Sequence, residues 1–155
     1  MKITSLKCWP IDLPLAEPYT IFYETIEHCV NVVLKVETDL GITGWGCAAP
    51  DLPVTGETAG TVINDFEQFM EPILYGLDPL RYIRSHEALR NLLPSSPAAL
   101  AMADIALYDL ISKYARLPLY QFLGGYRDSI PTSVTIGIMP LAETLNMGRP
   151  LWARE

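Results

Sequence analysis

The chain has 155 residues, half of them apolar, which is enough for one folded domain and rules out a disordered tail. Its 18 acidic against 11 basic residues leave a formal charge of −7, which excludes a nucleic-acid binder that works by neutralising phosphates. Three scattered cysteines, Cys8, Cys29 and Cys47, make neither a disulfide framework nor a zinc site.

The elements follow in chain order. Residues 1–15 read as a strand whose second half is weakened by Pro10 and Pro14. No apolar run follows Lys2, so the start is not read as a signal peptide. Residues 16–27 break the alternation and read as a loop. Alternation returns at 28–37, with Val30, Val32, Leu34 and Val36 on one face and Asn31, Lys35 and Glu37 on the other. A turn at Thr38-Asp39-Leu40-Gly41 leads to a third strand over 42–48. These strands predict an antiparallel meander with one apolar face that needs a cover.

Three helices are predicted to supply it. The first runs over about 58–74, with Val62, Phe66, Phe69, Met70 and Ile73 at helical spacing. The second starts at Asp78-Pro79, an N-cap followed by proline at the first position, and runs to about Leu93. The third, capped by Ser96 and led by Pro97, is the most apolar and ends near Ala115; its most apolar window, Ala98 to Ile111, is too short and too acidic to span a bilayer. One more turn, 119–123, stops at Gly124-Gly125, which is a helix stop and not a phosphate loop because no Lys-Ser or Lys-Thr follows. A last strand is expected over 130–138, with Val134, Ile136 and Ile138 on one face and Ser133, Thr135 and Gly137 on the other. A loop enters a helix at 141–145, and the closing GRPLWARE reads as an aperiodic tail.

Particular runs carry a resemblance. They are Gly44-Trp45-Gly46, Val54-Thr55-Gly56-Glu57-Thr58, 104–110 (DIALYDL), 118–125 (PLYQFLGG), 126–128 and Thr135-Ile136-Gly137-Ile138. With the element order they resemble the mandelate racemase and muconate lactonizing branch of the enolase superfamily, and within it the dipeptide epimerases. The resemblance covers about 1–147 and lapses from Gly148. It implies an α+β fold: a three-stranded meander on a helical bundle forming a capping domain at 1–125. The start of a (β/α) barrel would follow at 126–155, truncated after its first strand.

In such enzymes the cap closes over the barrel mouth, where lysines flank the α-carbon and move its proton while a Mg2+ held by three carboxylates stabilises the enediolate. A barrel of this kind takes about 250 residues, whereas seventeen follow Ile138. The lysines are Lys2, Lys7, Lys35 and Lys113, all in the cap. The expectation is therefore a cap without catalytic residues and without a metal of its own, inactive alone, from a cytoplasmic enzyme with a dipeptide substrate and no membrane or nucleic-acid partner. Alternatives are a muconate cycloisomerase or o-succinylbenzoate synthase relative, or a non-catalytic domain that binds a partner or self-associates through the strand 130–138.

The resemblance also singles out residues. The loop 16–27 would be a lid over the substrate. Within it Glu24 stands where Ala-Glu epimerases carry an arginine, a reversal that disfavours a glutamyl side chain and suits a basic one; a solvated Glu is the plain alternative. Thr135 matches a substrate-contacting threonine, against an ordinary strand threonine. Asp104 and Asp109 are expected to be structural, since five residues do not share a helix face. His28 and Cys29 point to opposite faces and do not read as metal ligands.

Overall fold

The computed structural model describes residues 1–152. They form two compact units, one of residues 1–11 and 30–126, the other of 12–29 and 127–155 so far as described. The strands are β1 (Ile3–Thr20), β2 (Thr25–Thr38) and β3 (Thr43–Ala48), in sheet order β1-β2-β3. The expected meander and its helical cover are both present.

In the larger unit, β2 delivers the alternation read from sequence. Val32, Leu34 and Val36 are fully buried, whereas Val30, placed on the same face, remains 40% exposed. The register sets Ala48, Gly46 and Gly44 beside these three residues. The inward face of β3 is thus built of the smallest side chains, and helix α5 (Pro97–Ala115) lies directly on it. A Cβ on Gly46 would stand 2.0 Å from the Met102 carbonyl oxygen, and one on Gly44 2.6 Å from that of Ala106. The Gly44-Trp45-Gly46 run is therefore a packing groove for a helix backbone. Met102, Ala103, Ala106, Leu107 and Leu110 of α5 complete the core with Val62, Phe66, Met70, Leu74 and Leu89.

Asp109 joins the same two elements by polar bonds. Its Oδ2 accepts the Trp45 N–H at 2.8 Å and the Lys113 ammonium at 2.7 Å, and Lys113 also donates to the Thr43 carbonyl at 2.9 Å. That is the structural use expected of it.

After a single turn, α1 (Leu52–Thr55), the helix expected over 58–74 is present in three pieces: α2 (Ala59–Asp65), a π-helical turn (Phe66–Met70) and α3 (Glu71–Leu74). Pro72 lacks the N–H that would continue the α ladder, and the wider turn just before it accommodates the break. The Asp78 side chain accepts the Leu80 N–H at 3.1 Å and starts a 3-10 turn (Pro79–Arg81) that runs into α4 (Tyr82–Leu92). A short α6 (Leu119–Phe122) ends at Gly124 and Gly125, both with positive φ.

In the smaller unit the reading of 16–27 as a loop is corrected. β1 continues to Thr20 and β2 begins at Thr25, so only 21–24 form the turn. The irregular hydropathy that suggested a loop belongs to a hairpin with little buried side-chain surface, where no apolar face imposes alternation. The expected strand over 130–138 is also corrected. This segment is assigned no strand, and Val134 and Ile138 are exposed at 62% and 65%. A strand requires a hydrogen-bonded ladder on a neighbour, and here the bond formed is from the Ile138 N–H to the Thr20 carbonyl, at 2.7 Å.

The tail reading changes as well. Helix α7 (Leu141–Trp152) runs through Gly148 and Arg149, although this is a poor helix sequence. The last three tail residues, 153–155, lie outside the described residues.

Candidate functional site

The residues singled out as a lid and a substrate contact fall in the smaller unit. The hairpin closes through the Ile21 N–H on the Glu24 carbonyl at 2.9 Å and through paired hydroxyls of Thr20 and Thr25 at 3.0 Å. Phe22 at its tip is 92% exposed. The Glu24 side chain is exposed, and its carboxylate has no hydrogen-bond or ion-pair partner among the described residues. Farther down, His28 Nδ1 sits 3.1 Å from Asp12 Oδ1, a cross-strand contact between exposed side chains.

The segment 136–138 runs against this hairpin. Besides the Ile138 bond, a Cβ on Gly137 would lie 2.9 Å from Tyr19 Cβ and 3.1 Å from the Thr20 nitrogen. Gly137 is buried while its neighbour Ile138 is exposed. Sequence reading put Gly137 merely on a polar face; its real function is to let one backbone approach another. Thr135, two residues earlier, is exposed. Glu24 and Thr135 therefore share one compact unit.

Gly137→Ala is expected to part the segment from the hairpin. The Ile138 amide should then exchange its hydrogen about tenfold faster, as loss of about 1.4 kcal/mol of local protection requires. Unchanged exchange would show that the close approach does not hold the two segments together.

The run Val54-Thr55-Gly56-Glu57-Thr58 proves to be a structural device at each of its last four residues. Thr55 Oγ1 accepts the N–H of Asp51 at 3.1 Å and of Glu57 at 3.3 Å, and donates to the Asp51 carbonyl at 3.0 Å. Gly56 takes a φ of 75°, and Thr58 forms a reciprocal capping box with Thr61 at the start of α2. Glu57 is 3% exposed, and its two oxygens accept the N–H groups of Ala98 (2.7 Å) and Ala99 (3.0 Å) at the start of α5. Ser96, expected as the cap, occupies the N-cap position without a side-chain bond. The carboxylate from 57 replaces it, because an anion on a helix N-terminus satisfies two donors at once and meets the positive end of the dipole. No local pattern could have revealed this partner, which is 41 residues away.

Cys8 is a half-buried thiol outside any disulfide. Burial, aided by the nearby Glu67 charge, pushes the Cys8 thiol up to about 11, away from thiolate chemistry at neutral pH.

Residues 4–124 match the family model of the mandelate racemase / muconate lactonizing enzyme N-terminal domain. The chain belongs to this family. An L-Lys-D/L-Arg epimerase of Desulforapulum autotrophicum is 48% identical over 145 residues, covering 94% of this chain and 41% of that protein. A dipeptide epimerase of Methylococcus capsulatus, solved with Mg and the dipeptide L-Arg-D-Lys, superposes with a TM-score of 0.92 at 38% identity, over 99% of this chain and 43% of the other. One from Enterococcus faecalis, solved with Mg and L-Leu-L-Tyr, gives 0.93 at 33% identity over the same shares. The chain thus spans about two-fifths of the length of the relatives it matches, and it corresponds to the N-terminal domain of dipeptide epimerase-like enzymes.

Among the described residues no three of His, Cys, Asp and Glu gather so as to hold a metal ion. These residues do not fit Mg2+, so no step through the ion is assigned to them. No helix among them is long and apolar enough to cross a membrane.

Proposed function

We propose that this mandelate racemase/muconate lactonizing family chain is the capping and specificity domain of an enzyme that inverts one α-carbon of a dipeptide carrying a basic side chain. In this reading residues 1–125 are the cap, and 126–155 open the barrel domain. Glu24 and Thr135 are the substrate contacts, and the chemistry of proton abstraction belongs to groups outside the described residues.

The observation that carries the reading is the unpaired, exposed carboxylate of Glu24 at the end of a hairpin anchored to 137–138. A tip carboxylate offers a guanidinium or ammonium a charge-assisted bond and repels an acidic side chain. Relatives named for Lys and Arg dipeptides support the same direction.

The test uses a full-length relative with Glu at the position of Glu24, assayed for epimerisation of L-Lys-L-Arg and of L-Ala-L-Glu. The basic dipeptide is expected to have the higher kcat/KM. Replacing that Glu by Gln should lower its kcat/KM about tenfold, mostly through KM, the size of a bond to a charged group. Efficient turnover of L-Ala-L-Glu, or indifference to the Gln replacement, overturns the assignment.

A further inference from the structure

In a chain of net charge −7, three of the eleven basic residues surround one cavity. The cavity holds about 350 Å3 and lies within the larger unit, lined by Lys2, Gly76, Asp78, Arg81, Arg84 and Ser85 among others. Neither arginine, nor the Lys2 ammonium, has an ion-pair partner among the described residues. Asp78 is the one carboxylate lining the cavity, and it accepts the Leu80 N–H.

Two further features point to an anion. The cavity sits at the start of α4, whose N-cap is Arg81 and whose first turn contains no acidic residue. Arginines are unfavourable there, because that end of the helix dipole is already positive. The second feature is Ser85. It is 2% exposed, its side chain forms no hydrogen bond with the protein, and it lines the cavity. Among the described residues no fully buried side-chain oxygen lacks a partner, so the Ser85 hydroxyl opens onto the cavity, where a ligand or solvent meets it.

We infer that this cavity binds a phosphate group, through the guanidinium groups of Arg81 and Arg84, the Lys2 ammonium and the Ser85 hydroxyl. Planar guanidinium forks match phosphate oxygens in pairs, and the helix start adds its own attraction. Free phosphate and a phosphate monoester share this chemistry. The inference stands whether or not Glu24 contacts a substrate.

The experiment titrates inorganic phosphate into the folded chain at fixed ionic strength and follows backbone amide chemical shifts. Saturable shifts at Gly76, Arg84 and Ser85 are expected. Arg84→Gln should weaken binding by at least about tenfold and Ser85→Ala by about threefold, as loss of a charged and of a neutral hydrogen bond implies. Arg90→Gln, on the last turn of the same helix, should leave binding unchanged. The amide spectrum of each variant also reports whether it has folded. Glycerol phosphate provides the second arm. Tighter binding than inorganic phosphate identifies a monoester as the ligand class, and weaker binding identifies free phosphate; both support the site. Shifts that fail to saturate with either ligand, or an equal loss in Arg90→Gln, overturn it.

Discussion

Gly46→Ala is expected to destabilise the fold by about 3 kcal/mol or more, lowering the thermal midpoint by about 10 °C. A methyl group there would stand 2.0 Å from the Met102 carbonyl oxygen, far inside van der Waals contact. That oxygen is part of the helix ladder of α5 and has no rotamer to escape into. The added carbon must therefore push α5 off β3, and α5 carries much of the core: Met102, Ala103, Ala106, Leu107 and Leu110 are all essentially inaccessible to solvent. Gly60→Ala is the control. It lies in α2, where the nearest atom to a new Cβ is 3.7 Å away, so it should be neutral or raise stability by up to about 1 kcal/mol. A thermal melt of Gly46→Ala within 2 °C of the parent protein would mean, at roughly 1 kcal/mol or less, that strand and helix are not in the contact described.

Glu57→Ala should cost about 3 kcal/mol, measured by chemical denaturation. The loss leaves the N–H groups of Ala98 and Ala99 without their acceptor, and both residues are buried, so water does not readily replace the carboxylate. Glu57→Gln should cost less, because its amide oxygen still accepts one of the two N–H groups. Ser96→Ala separates this account from the expectation based on local sequence. A serine that truly caps loses about 1 kcal/mol on truncation, whereas Ser96, without a side-chain bond, should change stability by less than about 0.5 kcal/mol. Equal effects of Ser96→Ala and Glu57→Ala would refute the long-range cap. These two losses are structural, and they explain why a run that marks the family need not touch substrate at all. Here Thr55, Gly56, Glu57 and Thr58 build the joint between two helices.

The candidate site is only partly legible in the sequence. Glu24 stood out because its charge opposes the arginine of the Ala-Glu epimerases, a difference in chemistry that a side chain carries wherever it is placed. Its setting was misjudged: the surrounding residues form strands up to a four-residue turn, not a loop over 16–27. Thr135 was placed on a regular strand, and that strand is not formed. Gly137 drew no notice beyond its face, although it makes the approach to Tyr19 and Thr20 possible. The basic cavity is invisible in the sequence, since Lys2 lies about eighty positions from Arg81 and Arg84 in the chain.

What the sequence by itself determined is what neighbouring residues decide among themselves. The alternation in β2 from Val32 to Val36, the Asp78-Pro79 helix start and the turn at Gly41 can be read from residues a few positions apart, and these appear as expected. Tertiary structure alone decided which carboxylate caps α5, how closely α5 approaches β3, and what holds the hairpin tip. Each of those involves a hydrogen bond shorter than 3 Å between residues 41 to 118 positions apart. Propensity and periodicity describe a segment's preference in isolation. They do not say which distant backbone donor will be left without a partner until a buried glutamate reaches it, and burial makes that choice costly to change.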